Sequence, residues 1–267
     1  MRHGDLLGMG NTANVYQWGN TEAIKIFHDQ ERSRYEASKE AKNAEIINNL
    51  NLRAPRFCGT LEYEGKQCLL YERINGPTML MQIAPTISSI SYYAKQLAQL
   101  QVEIHQVKVG IQPNLKTELS SKIFSYEIIS EGEKQVIKEI LEHLPESNTL
   151  CHYDFHPGNI ILSSEGPIII DWLNALVGHE AADVARTSMM LQSNTLPPNA
   201  PEILIRRELR ELFHEEYVKE YVMLSGKEYE EITNWTVPTL AYRIGEMNGS
   251  NQIEVLSKLR MGLKNLR

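Results

Sequence analysis

Hydrophobic and polar positions alternate with a period of two near the start of this chain and with a helical period over most of its second half. Leu6-Leu7-Gly8-Met9-Gly10-Asn11-Thr12-Ala13-Asn14-Val15-Tyr16 reads as a strand, a glycine turn and a second strand, and Thr21-Glu22-Ala23-Ile24-Lys25-Ile26-Phe27 alternates as a third. A polar, helix-forming segment from Gln30 to Asn49 follows, with Ala37, Ala41, Ala44 and Ile47 spaced to make one packed stripe. Ala54-Pro55-Arg56 ends it, and residues 57–61 and 67–72 read as two more strands about a Glu64-Gly65 turn. Arg73-Ile74-Asn75-Gly76-Pro77-Thr78 then breaks the pattern. Beyond it, periodicity predicts helices over 92–107, 118–129, 176–191, 200–223 and 237–266, with a Pro/Asn-rich loop at 194–199. The chain thus divides into residues 1–73, mainly antiparallel sheet with one helix, and residues 74–267, mainly helical: an α+β class.

Composition narrows the function. With 267 residues, 42% of them hydrophobic, the chain can bury a sizeable core as one large domain or two lobes. No apolar stretch approaches the length that spans a bilayer, and no leader-like segment opens the sequence, so a soluble protein with no membrane role is expected. Cys58, Cys68 and Cys151 are odd in number and lack CxxC spacing, which fits a reducing, cytoplasmic location better than a disulfide framework. The net charge of -7 argues against a nucleic-acid partner, which calls for a basic face. Residues 1–73 are balanced at ten basic and ten acidic side chains, so the whole deficit lies in residues 74–267. That surplus would attract a cationic substrate, and it is also what ordinary solvated helix faces produce.

The chemistry concentrates in Cys151-His152-Tyr153-Asp154-Phe155-His156-Pro157-Gly158-Asn159 and in Asp171, at the end of the apolar run Pro167-Ile168-Ile169-Ile170. Asp154, Asn159 and Asp171 place two carboxylates and an amide on short loops that open from strand-like runs. Such a set suits phosphoryl transfer, in which one carboxylate takes the proton of a hydroxyl and hard oxygen ligands hold a divalent cation on a nucleotide's phosphates. Gly8 and Gly10 would let backbone N–H groups come close to phosphate oxygens, and two glycines beside a hairpin are also a common turn. Lys25 sits inside an apolar strand, where either an edge position open to water or a charged partner must account for it. Glu36, Glu40 and Glu45 on the following helix are the candidate partners.

The order of these parts is that of protein kinases, including a loop of the form His-x-Asp-x4-Asn. In finer detail, residues 150–160 with Ile170-Asp171-Trp172 and Gly178-His179-Glu180-Ala181-Ala182-Asp183-Val184-Ala185-Arg186 resemble the aminoglycoside phosphotransferase (APH) family of small-molecule kinases. That family commonly reads His-Gly-Asp-x-His-x-x-Asn, then Ile-Asp-Trp or Ile-Asp-Phe. The resemblance extends through Gly8 to Val15, Lys25, Glu40 with Pro55 behind it, and Tyr71-Glu72-Arg73, and it leaves out the C-terminal helices. It implies a protein-kinase-like bilobal fold, with a nucleotide-binding lobe over 1–73 and a catalytic and substrate-binding lobe over 74–267. It also implies that ATP, or another nucleoside triphosphate, and magnesium serve transfer of a phosphoryl group to the hydroxyl of a small molecule such as an aminoglycoside, amino sugar or amino alcohol. On the same ground Asp154 is expected to be the catalytic base, Asn159 and Asp171 the metal ligands, and Gly8, Gly10 and Lys25 the phosphate-binding positions. Lys25 would pair with Glu40, the segment from Tyr71 through Glu72 to Ile74 would be the hinge that holds the adenine, and Asp183 would brace the catalytic loop.

Several positions depart from the family pattern. Ala13 replaces the third glycine of the nucleotide loop, and Tyr153 stands where glycine is usual, beside the base, where it would narrow the acceptor site or touch a substrate ring. Asn174 and His179 occupy positions that are often acidic, which weakens the case for a cation pocket. Three other readings stay in view. Ala200-Pro201-Glu202 is the tripeptide that protein kinases carry downstream of the metal aspartate. A nucleotide-binding regulator without turnover would keep the same motifs. His152 and His156 have the spacing of a zinc pair, although Pro157-Gly158 suits a loop more than the helix such a pair needs.

Overall fold

Alternation over the first seventy residues builds a five-stranded antiparallel sheet in the computed structural model, which describes residues 2–10, 12–28, 33–110, 113–196 and 200–265. Its strands are β1 (Leu6–Met9), β2 (Ala13–Trp18), β3 (Glu22–Phe27), β4 (Phe57–Tyr63) and β5 (Lys66–Glu72), in the spatial order β1-β2-β3-β5-β4. The helix α1 (Ser33–Asn48) covers one face. Its stripe of Ala37, Ala41 and Ala44 packs with Ala13, Phe27, Phe57 and Leu69, as the spacing predicts, because small side chains let helix and sheet approach closely. Trp18, Ile24 and Cys68 form a second cluster from the alternate positions of the strands, which point to the other face. The predicted start of α1 at Gln30 lies outside the described residues, as do Asn11, residues 197–199 of the Pro/Asn-rich loop, and Leu266.

The chain continues through α2 (Met79–Gln82), α3 (Ile87–His105), α4 (Leu115–Ser125), α5 (Glu131–His143), β6 (Thr149–Cys151), β7 (Ile160–Ser163), β8 (Gly166–Ile169), β9 (Leu176–Gly178), α6 (Glu180–Leu191), α7 (Glu202–Ile205), α8 (Arg207–Ser225), α9 (Tyr229–Thr233), α10 (Thr236–Arg243) and α11 (Gly249–Asn265). Two compact units result: residues Met1–Gln82 with Pro157–Ala175, and residues Ile83–His156 with Leu176–Arg267. The β7–β8 hairpin packs with the first unit although it lies far along the chain. Leu162 N–H donates to Pro77 O at 2.9 Å, and Ile169 N–H donates to Arg53 O at 2.6 Å. Gly76 makes this docking possible: at φ 152° its missing Cβ would stand 2.2 Å from Leu162 O. The predicted Gly-Pro break is therefore also a contact surface that only glycine permits.

In the second unit α3 runs along α8, and the core holds a polar network of Gln101, His105, Asp183, Thr187, Tyr217 and Tyr221. Periodicity is overridden at three places. Leu176–Gly178, predicted as the start of a helix, is strand β9 paired with β6, because Cys151, Leu150 and Thr149 offer it backbone partners. The helix begins only at Glu180, capped by His179 Nδ1, which accepts from Ala181 N–H at 3.3 Å. The predicted helix over 200–223 is split by Arg206, which caps both α7 and α8, and the one over 237–266 is interrupted after Arg243 by a 3-10 turn, Ile244–Glu246, and by Met247 in extended backbone, before α11 starts at Gly249, φ 56°.

Candidate active site

In the first unit, the period of β3 puts Lys25 on the face of Ala23 and Phe27, the face α1 covers, so the ammonium needs a partner there. Lys25 and Glu40 are buried, at 7% and 1% exposure, and Lys25 Nζ donates to Glu40 Oε1 at 2.9 Å and Oε2 at 2.8 Å. It also donates to Asp171 Oδ1 at 3.0 Å, and Tyr71 Oη donates to Glu40 Oε1 at 3.0 Å. Burial alone would lower the Lys25 pKa, but the Glu40 and Asp171 carboxylates outweigh it and hold the ammonium well above its ordinary range. Two carboxylates against one ammonium leave a net negative charge, which suits a cation.

Asp171 follows β8 in the left-handed region, φ 65° and ψ 63°, which turns its half-open carboxylate out of the strand direction. Asn159 ends a short 3-10 turn, Pro157–Asn159, directly before β7. The hairpin register pairs Ile160 with Ile169, and Ile170 N–H donates to Asn159 O at 2.9 Å, so Asn159 and Asp171 leave the hairpin at the same end. The turn after Asp171 is held by α1: Asn43 Nδ2 donates to Trp172 O at 2.9 Å and to Leu173 O at 3.1 Å. Asn43 stands three positions after Glu40 on the same helical face, so one helix fixes both the lysine and the aspartate. Its amide is a functional position that sequence reasoning missed; the spacing from Glu40 was its only signal.

The donor set fits a magnesium nucleotide. An amide oxygen and a carboxylate are hard ligands of the kind that magnesium takes, and Lys25 is a point charge of the kind that binds phosphate. Gly8 has ordinary backbone angles and nothing within 4 Å of the Cβ it lacks, so the protein itself does not require glycine there. Close approach of a ligand would. Gly10 is tied into the turn, donating to Ala13 O at 2.9 Å. Glu72 closes β5, its N–H donating to Arg56 O at 2.8 Å, and Ile74 follows in irregular chain.

The second unit carries Asp154. Its loop is fixed from α6 by three side chains at helical spacing. Asp183, fully buried, accepts from His152 N–H at 3.1 Å and Tyr153 N–H at 2.7 Å. Arg186 Nε donates to Tyr153 O at 2.6 Å, and Thr187 Oγ1 donates to Phe155 O at 2.9 Å. Both backbone groups of Tyr153 are thereby held from one helix, and Arg186, a residue to which the motif assigned no task, turns out to position the loop. His152 Nδ1 accepts from Asp154 N–H at 3.2 Å, the backbone-shaping role open to a buried histidine. Residues 152–156 form bends and no helix, so the spacing of His152 and His156 does not bring two imidazoles onto one helical face.

Tyr153 overturns the expectation that it meets a substrate. It is fully buried, its ring 5.5 Å from that of Tyr242 and 5.0 Å from the Arg186 guanidinium. Its φ of 59° explains the glycine usual at this position: the backbone is left-handed there, at a cost of about 1–2 kcal/mol for an L side chain. Burial of the ring offsets that strain. Tyr153→Gly relieves the strain but removes a buried ring whose truncation costs about 3–5 kcal/mol, so a net loss of about 1–4 kcal/mol is expected in denaturant unfolding. Tyr153→Phe should match the wild type, because the Tyr153 hydroxyl is buried without a hydrogen-bond partner.

Two acidic residues that could have faced an acceptor are engaged elsewhere. Glu246 pairs with Arg186 Nη2 at 2.7 Å, and Glu180 accepts from Thr149 Oγ1 at 3.0 Å and pairs with Lys227 at 3.0 Å. Ala200-Pro201-Glu202 opens the single turn of α7, with Pro201 as its cap.

Known proteins with this architecture include amicoumacin kinase hAmiN in complex with AMP-PNP, Ca2+ and Ami, at TM-score 0.63 and 14% identity over 98% of this chain and 87% of that one. The aminoglycoside-3'-phosphotransferase of type VIII matches at TM-score 0.61 and 15% identity, covering 89% and 93% of the two chains. The GDP and kanamycin complex of APH(2")-IIia matches at 0.57 and 15%, covering 99% and 95%. At these identities the likeness shows the fold, an α+β fold of the protein-kinase type. No curated protein matches the chain in sequence. The model of the phosphotransferase enzyme family (APH) matches residues 6–221, which span β1 through most of α8 and hold every motif described above. The chain therefore belongs to the APH phosphotransferase family, enzymes that transfer a phosphoryl group to a hydroxyl.

Proposed function

We propose that this phosphotransferase uses ATP, or another nucleoside triphosphate, with magnesium to phosphorylate a hydroxyl of a small molecule. The observation that carries the reading is the buried Lys25–Glu40 pair with the half-open Asp171 carboxylate bound to the same ammonium, and with Asn159 at the same end of the hairpin. Lys25 binds phosphate oxygens, and Glu40 fixes its position. Asn159 and Asp171 offer oxygen ligands to the metal. Asp154 orients the acceptor hydroxyl and takes its proton onto the carboxylate. When bound, magnesium ATP supplies the transferable group and neutralises the charge that develops on it. Most of the rate enhancement in such a reaction comes from position and charge, which is why the loop before Asp154 is braced so heavily.

A coupled ADP-release screen over aminoglycosides, amino sugars, amino alcohols and nucleosides tests the proposal. ADP should appear only with magnesium, nucleotide and an acceptor together, and mass spectrometry should find one added phosphate on the acceptor. Absence of magnesium nucleotide binding, or phosphate recovered only on a generic protein substrate, would sink it.

A further inference from the structure

The second unit largely buries an arginine that has no ion pair among the described residues. Arg243, at the end of α10, is 9% exposed, and its one hydrogen bond, Nη2 to Ser193 Oγ, is long at 3.5 Å. Among the described residues it forms no ion pair. Arg186, its neighbour in charge, is matched by Glu246. The remaining donors of Arg243 still reach solvent, so a guanidinium that is largely buried and has no ion pair is open to an anion that enters from the water side.

Arg243 lines a small, half-open pocket, a cavity of about 20 Å³ that widens into solvent, together with Ser193, Asn194, Thr195, Glu254 and Lys258. Glu254 is already engaged, with Lys258 at 2.7 Å and Asn194 Nδ2 at 3.0 Å. Behind Asn194 stands a second buried arginine, Arg210, whose Nη2 donates to Asn194 Oδ1 at 3.0 Å and whose Nη1 donates to the carbonyls of Leu204 and Ile205. It too has no carboxylate partner among the described residues. The pocket wall therefore carries uncompensated positive charge in a chain whose net charge is -7.

The pocket also lies close to the Asp154 loop. Tyr242, the residue before Arg243, packs its ring 5.5 Å from Tyr153, the residue before Asp154, and Arg186 bridges both rings. Arg243 feels the Asp154 carboxylate, which together with Glu246 opposes the depression of its pKa by burial and by Arg186.

We propose that Arg243 binds an anionic group of the acceptor, a carboxylate or a phosphate ester, so that the preferred hydroxyl substrate is negatively charged and not a polycation. A planar guanidinium with several unused donors matches a carboxylate or phosphate in a bidentate manner. The inference rests on the reading of Asp154 as the hydroxyl-facing base, because the hydroxyl at Asp154 and the anion at Arg243 belong to one molecule.

Two measurements test it. In the first, the arginine Nε–Hε NMR signals of the protein saturated with magnesium ADP are followed as inorganic phosphate or acetate is added. The Arg243 signal, identified by its absence in Arg243→Gln, should move in a saturable way; a signal that moves only when all arginine signals move with ionic strength overturns the proposal. In the second, ADP release is compared between glycerate and glycerol, glucose 6-phosphate and glucose, and lactate and lactamide, with kanamycin as the polycation. Each anionic member that is turned over should exceed its neutral twin by about tenfold or more in kcat/KM, which is about 1.4 kcal/mol. Arg243→Gln should abolish that preference through KM for the acceptor, and Arg243→Lys should keep part of it. Preference for a neutral twin or for kanamycin overturns the proposal, and so does an Arg243→Gln effect confined to KM for ATP, which would assign the arginine to the nucleotide. Asp154→Ala separates the two readings: it removes turnover in every pair, while the Arg243 signal still responds saturably to phosphate.

Discussion

Replacing Asp154 by alanine should lower kcat by about 10²–10⁴-fold, the range that general-base assistance contributes, with nucleotide affinity unchanged. The reason for expecting a clean kinetic effect lies in how the loop is built. The hydrogen bonds that brace it from α6 and from His152 run through backbone groups: the N–H groups of His152 and Tyr153 to Asp183, the Tyr153 carbonyl to Arg186, the Phe155 carbonyl to Thr187, and the Asp154 N–H to His152. Alanine keeps every one of these. The variant should therefore keep the braced loop and bind magnesium ATP with the same affinity, and lose the group that takes the proton. Asp154→Asn provides the sharper comparison, since it keeps an oxygen to orient the hydroxyl but is not basic enough to take up its proton at neutral pH. A fall of less than tenfold in kcat, for either variant at saturating acceptor, would remove Asp154 from the catalytic role.

What could be read before the structure was known divides along a physical line. Backbone periodicity and charge in an apolar setting are local properties, and they located β2, β3, the alanine stripe of α1 and the anomaly of Lys25. The choice of Glu40 over Glu36 and Glu45 needed the family's spacing, because all three lie on the same helix and only tertiary packing distinguishes them. Pairings between distant segments left no such mark. Strand β9 exists because β6 is beside it, and the Arg186–Glu246 pair joins residues sixty positions apart. Tyr153 is the clearest case. Its identity pointed toward a substrate, whereas its left-handed backbone and full burial make it part of the scaffold that holds Asp154. Arg243 is the reverse: nothing in a run such as Tyr242-Arg243-Ile244 marks an arginine as buried and unpaired, and only the packed unit does.

Asp183→Ala should destabilise the protein by about 3–5 kcal/mol, the cost of removing one partner from a buried charged network. Four donors converge on this carboxylate inside the second unit. The His152 and Tyr153 N–H groups reach it at 3.1 and 2.7 Å, Gln101 Nε2 at 3.1 Å and His105 Nε2 at 3.0 Å. Burial pushes its pKa up, but the His105 hydrogen bond and charge, with help from His152 and Gln101, win, and the carboxyl sits below its ordinary value of 3.8. A carboxyl with a depressed folded-state pKa contributes its stability in full above the unfolded value and loses it as pH falls through the folded one. Wild-type stability should therefore drop as pH falls below about 3.8, and Asp183→Asn should lose that part of the acid transition while being less stable at neutral pH. Denaturant unfolding at a series of pH values measures both. The same substitution should reduce kcat without raising KM for ATP, since it releases the left-handed turn at Tyr153 that aims the next residue, Asp154. A neutral-pH loss below about 1 kcal/mol, the size of an ordinary hydrogen bond, would mean that the loop is held by other contacts and that Asp183 is not its brace.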